Sequence, residues 1–203
     1  MSSAVGLLLA GGRSRRMGGG DEFLLTIGGI SLLERVAARL VQQVDRVAIS
    51  ANGNEAALQS FGLPIVSDGV HPGRGPLSGI LAGLRWAFKV GGSTHLVSVP
   101  SDTPLIPLDL VERLREGDEH DVVIAHSRGR AHYPIAAWPI HMADRIEAWL
   151  VGNANSSVKM FLETVETRFI DFEGPYDPFI NVNEPGDLKV AIECYSMDQS
   201  DRF

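Results

Sequence analysis

The feature that most narrows what this chain can become is the succession at its start. A continuous apolar run over residues 5–10 stops at Gly11-Gly12, and a helical pattern over 31–44 leads straight into a second apolar run, RVAISAN, at 46–52. A short segment that is apolar at every residue suits a strand buried on both faces, as in a parallel sheet covered by helices. Between the two runs, Leu32, Leu33, Val36, Leu40 and Val44 recur at helical spacing behind Ser31, a residue suited to cap the first turn. Strand, loop, helix, strand is the βαβ unit that parallel strands require.

The same alternation continues downstream. It predicts a short helix over 55–61, a strand at 64–67, the loop DGVHPGRGPLSG, a helix around 80–88 and a central strand, THLVSVP, at 94–100. A helix over 107–115, a strand DVVIAHS at 121–127 and a last helix after INVNEPGD follow. Extended segments at 133–138 and 167–172 are expected to add antiparallel edges. No linker or composition shift divides the 203 residues, so a single domain over 1–203 is expected, with residues 196–203 as a frayed tail.

Composition sets limits on function. A formal net charge of −7 argues against nucleic acid or an acidic membrane as partner, although a local arginine cluster can still face an anion. The single Cys194 excludes an intramolecular disulfide and fits a reducing compartment. The run at 5–10 is too short for a secretion signal, and no window approaches the ~18 apolar residues of a membrane span. The expectation is a cytoplasmic protein.

Four stretches carry chemistry. In LAGGRSRRMGGGD, glycines let the backbone approach a ligand, and successive N–H groups with Arg13, Arg15 and Arg16 make a cradle for an anion; a packing turn is the alternative. The stretch is neither a dinucleotide fingerprint nor a P-loop, for it lacks G-x-x-x-x-G-K-[ST]. In VPSDTPLIP, Asp102 follows directly on a hydrophobic strand, where ligands of open α/β sheets sit. It suits Mg²⁺ shared with substrate phosphates, or it caps a turn among Pro100, Pro104 and Pro107. In HPGRGPLSGI, Gly75, Pro76, Ser78 and Gly79 offer a backbone edge to a planar base, or simply the first turn of a helix. In FINVNEPGDL, Asn183 caps the next helix, with Glu184, Pro185 and Asp187 in its first turn, which leaves Asn181 as the candidate facing a metal or ligand. The tryptophans at 86, 138 and 149 read as packing, and the histidines at 71, 95, 120, 126 and 141 lack the mutual spacing of a metal site.

Taken in order, these stretches resemble the nucleotidyltransferase family that includes molybdenum cofactor guanylyltransferase. The resemblance runs from LLLAGGRSRRMGGGD through SAN, VSD, GPLSG, PSDTPLIP and HYP to FINVNEPGDL, nearly the whole chain. It implies an α/β fold, a Rossmann-like three-layer sandwich with a mostly parallel sheet, like the nucleotide-diphospho-sugar transferases. It implies transfer of GMP from GTP to molybdopterin with Mg²⁺ and release of pyrophosphate. GTP and molybdopterin would be the substrates, and other proteins of molybdenum cofactor biosynthesis the candidate partners.

Residue by residue, the resemblance implies nucleotide contacts at Leu9, Ala10, Gly11, Gly12, Arg13, Ser50, Asn52 and Asp68, with Gly75, Pro76, Leu77 and Gly79 lining the base pocket. Arg16, Asp102 and the position of Glu22 would form the catalytic set, with Asp102 as the Mg²⁺ ligand, and His132 and Asn181 would face the pterin. The nucleophile would be a substrate phosphate, already anionic, so catalysis falls to positioning and charge neutralisation and no histidine base is nominated.

Two positions depart from the family pattern. The family's NAN is Ser50-Ala51-Asn52 here, and Glu22 stands where R-M-G-G-x-D-K places a lysine that reaches the phosphates. At ~4 Å and an effective dielectric of about 20, a charge pair is worth roughly 4 kcal/mol, so reversing its sign costs at most about 8 kcal/mol per phosphate charge. The rival readings are transfer of CMP to molybdopterin, transfer of a nucleotide to a sugar phosphate, and a nucleotide-binding protein whose catalysis Glu22 impairs.

Overall fold

A strand that meets helices on both faces must be apolar on both, and the first strand, β1 (Ser3–Leu9), is buried from Ala4 to Leu8. The computed structural model describes residues 3–11, 24–53, 55–69, 71–116, 120–154 and 156–200. After β1 come a hairpin, β2 (Thr26–Ile27) and β3 (Ile30–Ser31), then α1 (Leu32–Leu40), β4 (Arg46–Ser50), α2 (Glu55–Gln59), β5 (Ile65–Val66), α3 (Pro76–Val90) and β6 (Ser93–Pro100). The remainder is α4 (Leu110–Leu114), β7 (Val122–Ser127), β8 (Arg130–Pro139), α5 (Met142–Gly152), α6 (Val158–Leu162), β9 (Thr167–Asp171) and α7 (Pro185–Ser200).

Seven of these strands form one sheet in the order β5-β4-β1-β6-β8-β7-β9. Strand β1 pairs in parallel with both β4 and β6, so the chain reverses its direction of winding beside β1. The predicted central position of β6 is observed. Two expectations are corrected. The segment at 133–138 belongs to β8, which is antiparallel but lies inside the sheet between β6 and β7. The segment at 167–172 is the edge strand β9, and it runs parallel to β7.

Alternation along β1 divides the core. Val5 and Leu7 point to a layer built by α3, α5 and α6, where Leu84, Ile146 and Phe161 are buried. Ala4 and Leu8 point to the opposite layer, with Val36 and Leu40 of α1, Leu58 of α2 and Leu114 of α4. Sheet and two helical layers make the expected three-layer α/β sandwich. Helix α1 begins where Ser31 was expected to cap it: the hydroxyl accepts from the Glu34 amide at 3.2 Å while the Glu34 carboxylate accepts from the Ser31 amide at 2.8 Å.

Helix α3 starts at Pro76, four residues before the expected start near residue 80, so the PLSG segment is its first turn. Helix α7 starts at Pro185 and continues through Ser200, across residues 196–200 that the sequence reading assigned to a frayed tail. At its start the recorded capping oxygen belongs to Asp187, which accepts from the amides of Asn183 at 3.0 Å and Glu184 at 2.9 Å. A third, smaller core joins α7 to the β2–β3 hairpin through Ile27, Leu32, Val182 and Ala191. No helix among the described residues is long and apolar enough to cross a membrane.

Candidate functional site

The parallel ladder continues past the strand ends. Ala10 N–H donates to Ser50 O at 2.9 Å, Ala51 N–H to Val66 O at 3.1 Å and Ser101 N–H to Leu9 O at 3.1 Å. The carboxyl ends of β5, β4, β1 and β6 are therefore level, and the chain leaves them in different directions beside the winding reversal at β1. A crevice forms where connections part in this way. Here it has a volume of about 390 Å³, within the range of small-molecule sites. Its floor is Leu9, Gly11, Ser50, Pro100 and Ser101; one wall is Asn52, Asp68, Gly73, Gly75, Pro76 and Gly79; the other is Asp102, Pro134 and Asn181.

The first wall is organised by a carboxylate. Asn52 Oδ1 accepts the Asp68 amide at 3.0 Å, holding the end of β5 level with the end of β4. Asp68 Oδ2 in turn accepts from the Gly73 amide at 3.3 Å and the Ser78 hydroxyl at 2.9 Å. These bonds tie Asp68 to Gly73 and Ser78 and deliver the first turn of α3 to the cleft. Gly75 is the N-cap with φ 70°, a conformation glycine adopts without strain, and Pro76 at the first helical position has no N–H to leave unpaired. Gly79 makes room in another way: a Cβ there would lie 2.4 Å from Ser50 Oγ and 3.3 Å from Leu9 Cδ2. The side chains of the floor thus reach the backbone of the helix, and a methyl there would displace the Ser50 hydroxyl.

The second wall joins distant segments. Asp102 lies just beyond β6, and its carbonyl accepts the Val182 amide at 2.9 Å. The Asn181 amide nitrogen lies 3.3 and 3.4 Å from the two carboxylate oxygens of Asp102, and the Thr103 hydroxyl donates to one of them at 3.3 Å. Pro134 is placed by a relay across β6 and β8, in which Trp138 Nε1 donates to Ser98 Oγ at 2.8 Å and Ser98 donates to the Pro134 carbonyl at 2.7 Å.

The cleft's described ionisable side chains, Asp68 and Asp102, are both carboxylates. Among the described residues no group of three or more His, Cys, Asp or Glu side chains converges to hold a metal. A carboxylate with an adjacent side-chain amide nevertheless offers hard oxygen donors once the amide turns its carbonyl inward, and Mg²⁺ takes few protein ligands when phosphates supply the rest. Asp102 and Asn181 fit that ion.

The structure brings together Leu9, Gly11, Ser50, Asn52, Asp68, Gly75, Pro76, Gly79, Asp102 and Asn181 around this one cleft. Ala10 is buried beneath it and contributes its amide to the Ser50 carbonyl. Leu77 points the other way, fully buried in the core beneath α3. His132 is not in the cleft wall; its ring is buried against Phe179, with centroids 4.9 Å apart, and its Nε2 is 2.8 Å from Ser127 Oγ. Burial pushes this imidazole below its ordinary value of 6.5, opposed in part by Asp177. Arg74 does not line the cleft, and its guanidinium donates to the Asn153 carbonyl. Gly12, Arg13, Arg15, Arg16 and Glu22 lie outside the described residues.

Sequence reasoning missed Gly73, Pro100 and Ser101 as lining residues and the bond between Ser78 and Asp68. A serine in the first turn of a helix, ten residues after a strand-end carboxylate, is a weak signal that only the turn's closure makes specific.

Residues 6–167 match the model of the MobA-like NTP transferase domain. A molybdenum cofactor guanylyltransferase of Acidiphilium cryptum is 42% identical over 185 residues, covering 91% of this chain and 92% of that protein. One from Mesorhizobium japonicum is 42% identical over 195 residues, covering 92% and 93%. Among solved structures, the molybdopterin-guanine dinucleotide biosynthesis protein A of Archaeoglobus fulgidus superposes with a TM-score of 0.77 at 23% identity, over 95% of this chain and 99% of that one. That last likeness speaks to the fold alone.

Proposed function

Because the chain belongs to the MobA-like NTP transferase family, a family of nucleotidyltransferases, we propose that it transfers GMP from GTP to molybdopterin and releases pyrophosphate. The observation that carries this reading is the cleft itself. It sets a backbone-lined wall for a flat base, at Gly75 and Gly79, opposite a carboxylate and amide, Asp102 and Asn181, suited to a metal-bound triphosphate. The choice of guanine is supported by the relatives named guanylyltransferase at 42% identity.

The wall of α3 holds the nucleotide. Gly79 keeps its part of the wall free of a side chain, Asp68 presents an oriented acceptor, and the first turn of α3 adds unpaired backbone N–H groups. Across the cleft Asp102 and Asn181 would hold Mg²⁺, whose chemistry there is neutralisation of the triphosphate's charge. Arg13 and Arg16 would add positive charge from the glycine-rich segment. A terminal phosphate oxygen of molybdopterin attacks the α-phosphorus; the new P–O bond forms as the bond to the bridging oxygen breaks, and pyrophosphate leaves with that electron pair. The described residues need only align the two and exclude water, since the nucleophile carries no proton to remove. We place this reaction in the cytoplasm, where GTP is supplied and the single cysteine meets a reducing environment.

The test is to incubate the protein with molybdopterin, Mg²⁺ and either GTP or CTP, following pyrophosphate and the dinucleotide product. Product from GTP supports the reading. Product from CTP alone, or none from either nucleotide after Glu22→Lys has also been tried, overturns it.

A further inference from the structure

Asn181 sits in a stretch without regular structure between β9 and α7, yet the site needs it fixed against Asp102. The segment touches the sheet at few polar points. At one end the Phe172 amide donates to the His126 carbonyl at 2.7 Å; at the other the Val182 amide donates to the Asp102 carbonyl at 2.9 Å. Between them the Arg128 guanidinium donates to the Gly174 carbonyl at 2.8 Å, and the side chain of Asp177 makes the tie nearer to Asn181. Its Oδ1 accepts from the Phe179 amide at 2.9 Å, which closes a local turn, and from the Ser127 hydroxyl at 2.7 Å, which fastens that turn to the end of β7.

Proton accounting extends the chain of bonds. Ser127 has one hydroxyl proton, and a carboxylate only accepts, so that proton is committed to Asp177. The remaining contact, 2.8 Å between Ser127 Oγ and His132 Nε2, is then a donation from the ring, which fixes the tautomer with hydrogen on Nε2. Ser127 and His132 are 1% and 5% exposed, so water does not compete for the bond between them, while Asp177 is half-buried. The ring packs on Phe179, itself 1% exposed and two residues before Asn181. His132 also lies on β8 two residues before Pro134, so both edges of the second wall lead back to one buried knot.

We propose that Asp177, through Ser127 and His132, is a positioning residue that holds Asn181 in place against Asp102. It touches no substrate; it sets where the segment crosses the end of β6. The role in catalysis rests on the reading of Asp102 and Asn181 as the metal end of the cleft, whereas the positioning itself does not.

The test separates the two. Hydrogen exchange at the Val182 amide reads the docking of the segment directly, with the Leu8 amide in the central strand β1 as control. Asp177→Ala is expected to speed exchange at Val182 by about tenfold or more and leave Leu8 unchanged. Asp177→Asn, which keeps an acceptor oxygen, should stay near the parent. Ser127→Ala should move Val182 in the same direction, and it decides the matter if Asp177→Ala does not fold. Parent-like exchange at Val182 in the folded variants overturns the proposal, as does equal acceleration at Leu8.

Binding of Mn²⁺ in the presence of GTP, with no turnover required, then tests the link to the site. Asp177→Ala and Asn181→Ala should each weaken it, and the double variant should be no weaker than Asn181→Ala alone. Losses that multiply would refute action through Asn181. Unchanged Mn²⁺ binding in Asn181→Ala, with Val182 still responding to Asp177→Ala, would keep the positioning and remove the metal reading.

Discussion

Replacing Ser78 by alanine deletes the hydroxyl that orients Asp68. Ser78 is fully buried, and its single proton has two acceptors in reach, Asp68 Oδ2 at 2.9 Å and the Gly75 carbonyl at 2.8 Å. If the proton sits on the carboxylate, Ser78→Ala removes a hydrogen bond to a charged group, worth roughly 1.5–3 kcal/mol. Asp68 borders the cleft, so water can replace part of that, and the lower end, about 1.5 kcal/mol, is expected. For a domain of this size each kcal/mol moves Tm by about 2–4 °C, giving a fall of roughly 3–6 °C. The freed carboxylate must also be re-ordered when nucleotide binds, so GTP affinity should fall by about tenfold. Urea unfolding and calorimetry with Mg²⁺ and GTP measure the two effects. The decisive control repeats Ser78→Ala in an Asp68→Asn background. There the hydroxyl faces a neutral acceptor, and its removal should cost clearly less. Equal cost in both backgrounds would place the proton on the Gly75 carbonyl and refute the orienting role.

Other expectations follow from the same geometry. Gly79→Ala gains about 1 kcal/mol of helix propensity, but its methyl meets Ser50 Oγ and turns it into the cleft; stability should change little and GTP affinity fall, with Ser50→Ala in the same chain restoring binding. Glu22→Lys restores the sign that the family pattern places beside the phosphates and should raise turnover, by up to about a thousandfold if half the Coulomb bound is realised; equal rates would show the position to be irrelevant. Because burial depresses the folded-state pKa of His132, the unfolded chain binds the extra proton first, so stability is complete above pH 6.5 and declines as pH falls from there toward the folded-state value. Urea unfolding at several pH values should show that slope in the parent and a reduced one in His132→Gln.

The opening βαβ unit was legible because both of its signals are local: a strand apolar on both faces, and a helix whose cap and periodicity lie within a few residues. Strand order is not local: the central place of β6 was read correctly, but the places and directions of β8 and β9 were not. The segment at 133–138 was expected at an edge, yet Ile135, Ala136, Ala137 and Trp138 are buried inside the sheet. Pro134 is tolerated because it lies in the irregularity of β8, where the register jumps from Ala136 opposite Ile124 to His132 opposite Ala125 and no ladder bond calls on its missing N–H. Helix α5 went unread although Met142, Ile146 and Leu150 repeat every four residues, since the stripe is only three residues long. At the site, Asp102 was findable because it follows a strand end, and strand ends converge in such sheets, whereas Leu9, Ser50 and Asp68 came from the resemblance. The meeting of Asn181 with Asp102, 79 positions apart, was written in no local pattern; the spacing in FINVNEPGDL pointed to Asn181 but not to its partner, and packing of the segment at 172–184 puts it there.

The central claim is that this cleft binds a guanine nucleotide through a metal held at Asp102. Titrating the parent and Asp102→Asn with GTP and with CTP, each with and without Mg²⁺, tests it most directly. The account predicts that the parent prefers GTP to CTP, binds it more tightly with Mg²⁺, and loses that metal-dependent gain, though not the residual base recognition, in Asp102→Asn. The same affinity with and without Mg²⁺ in both proteins, or no binding of either nucleotide, would contradict it.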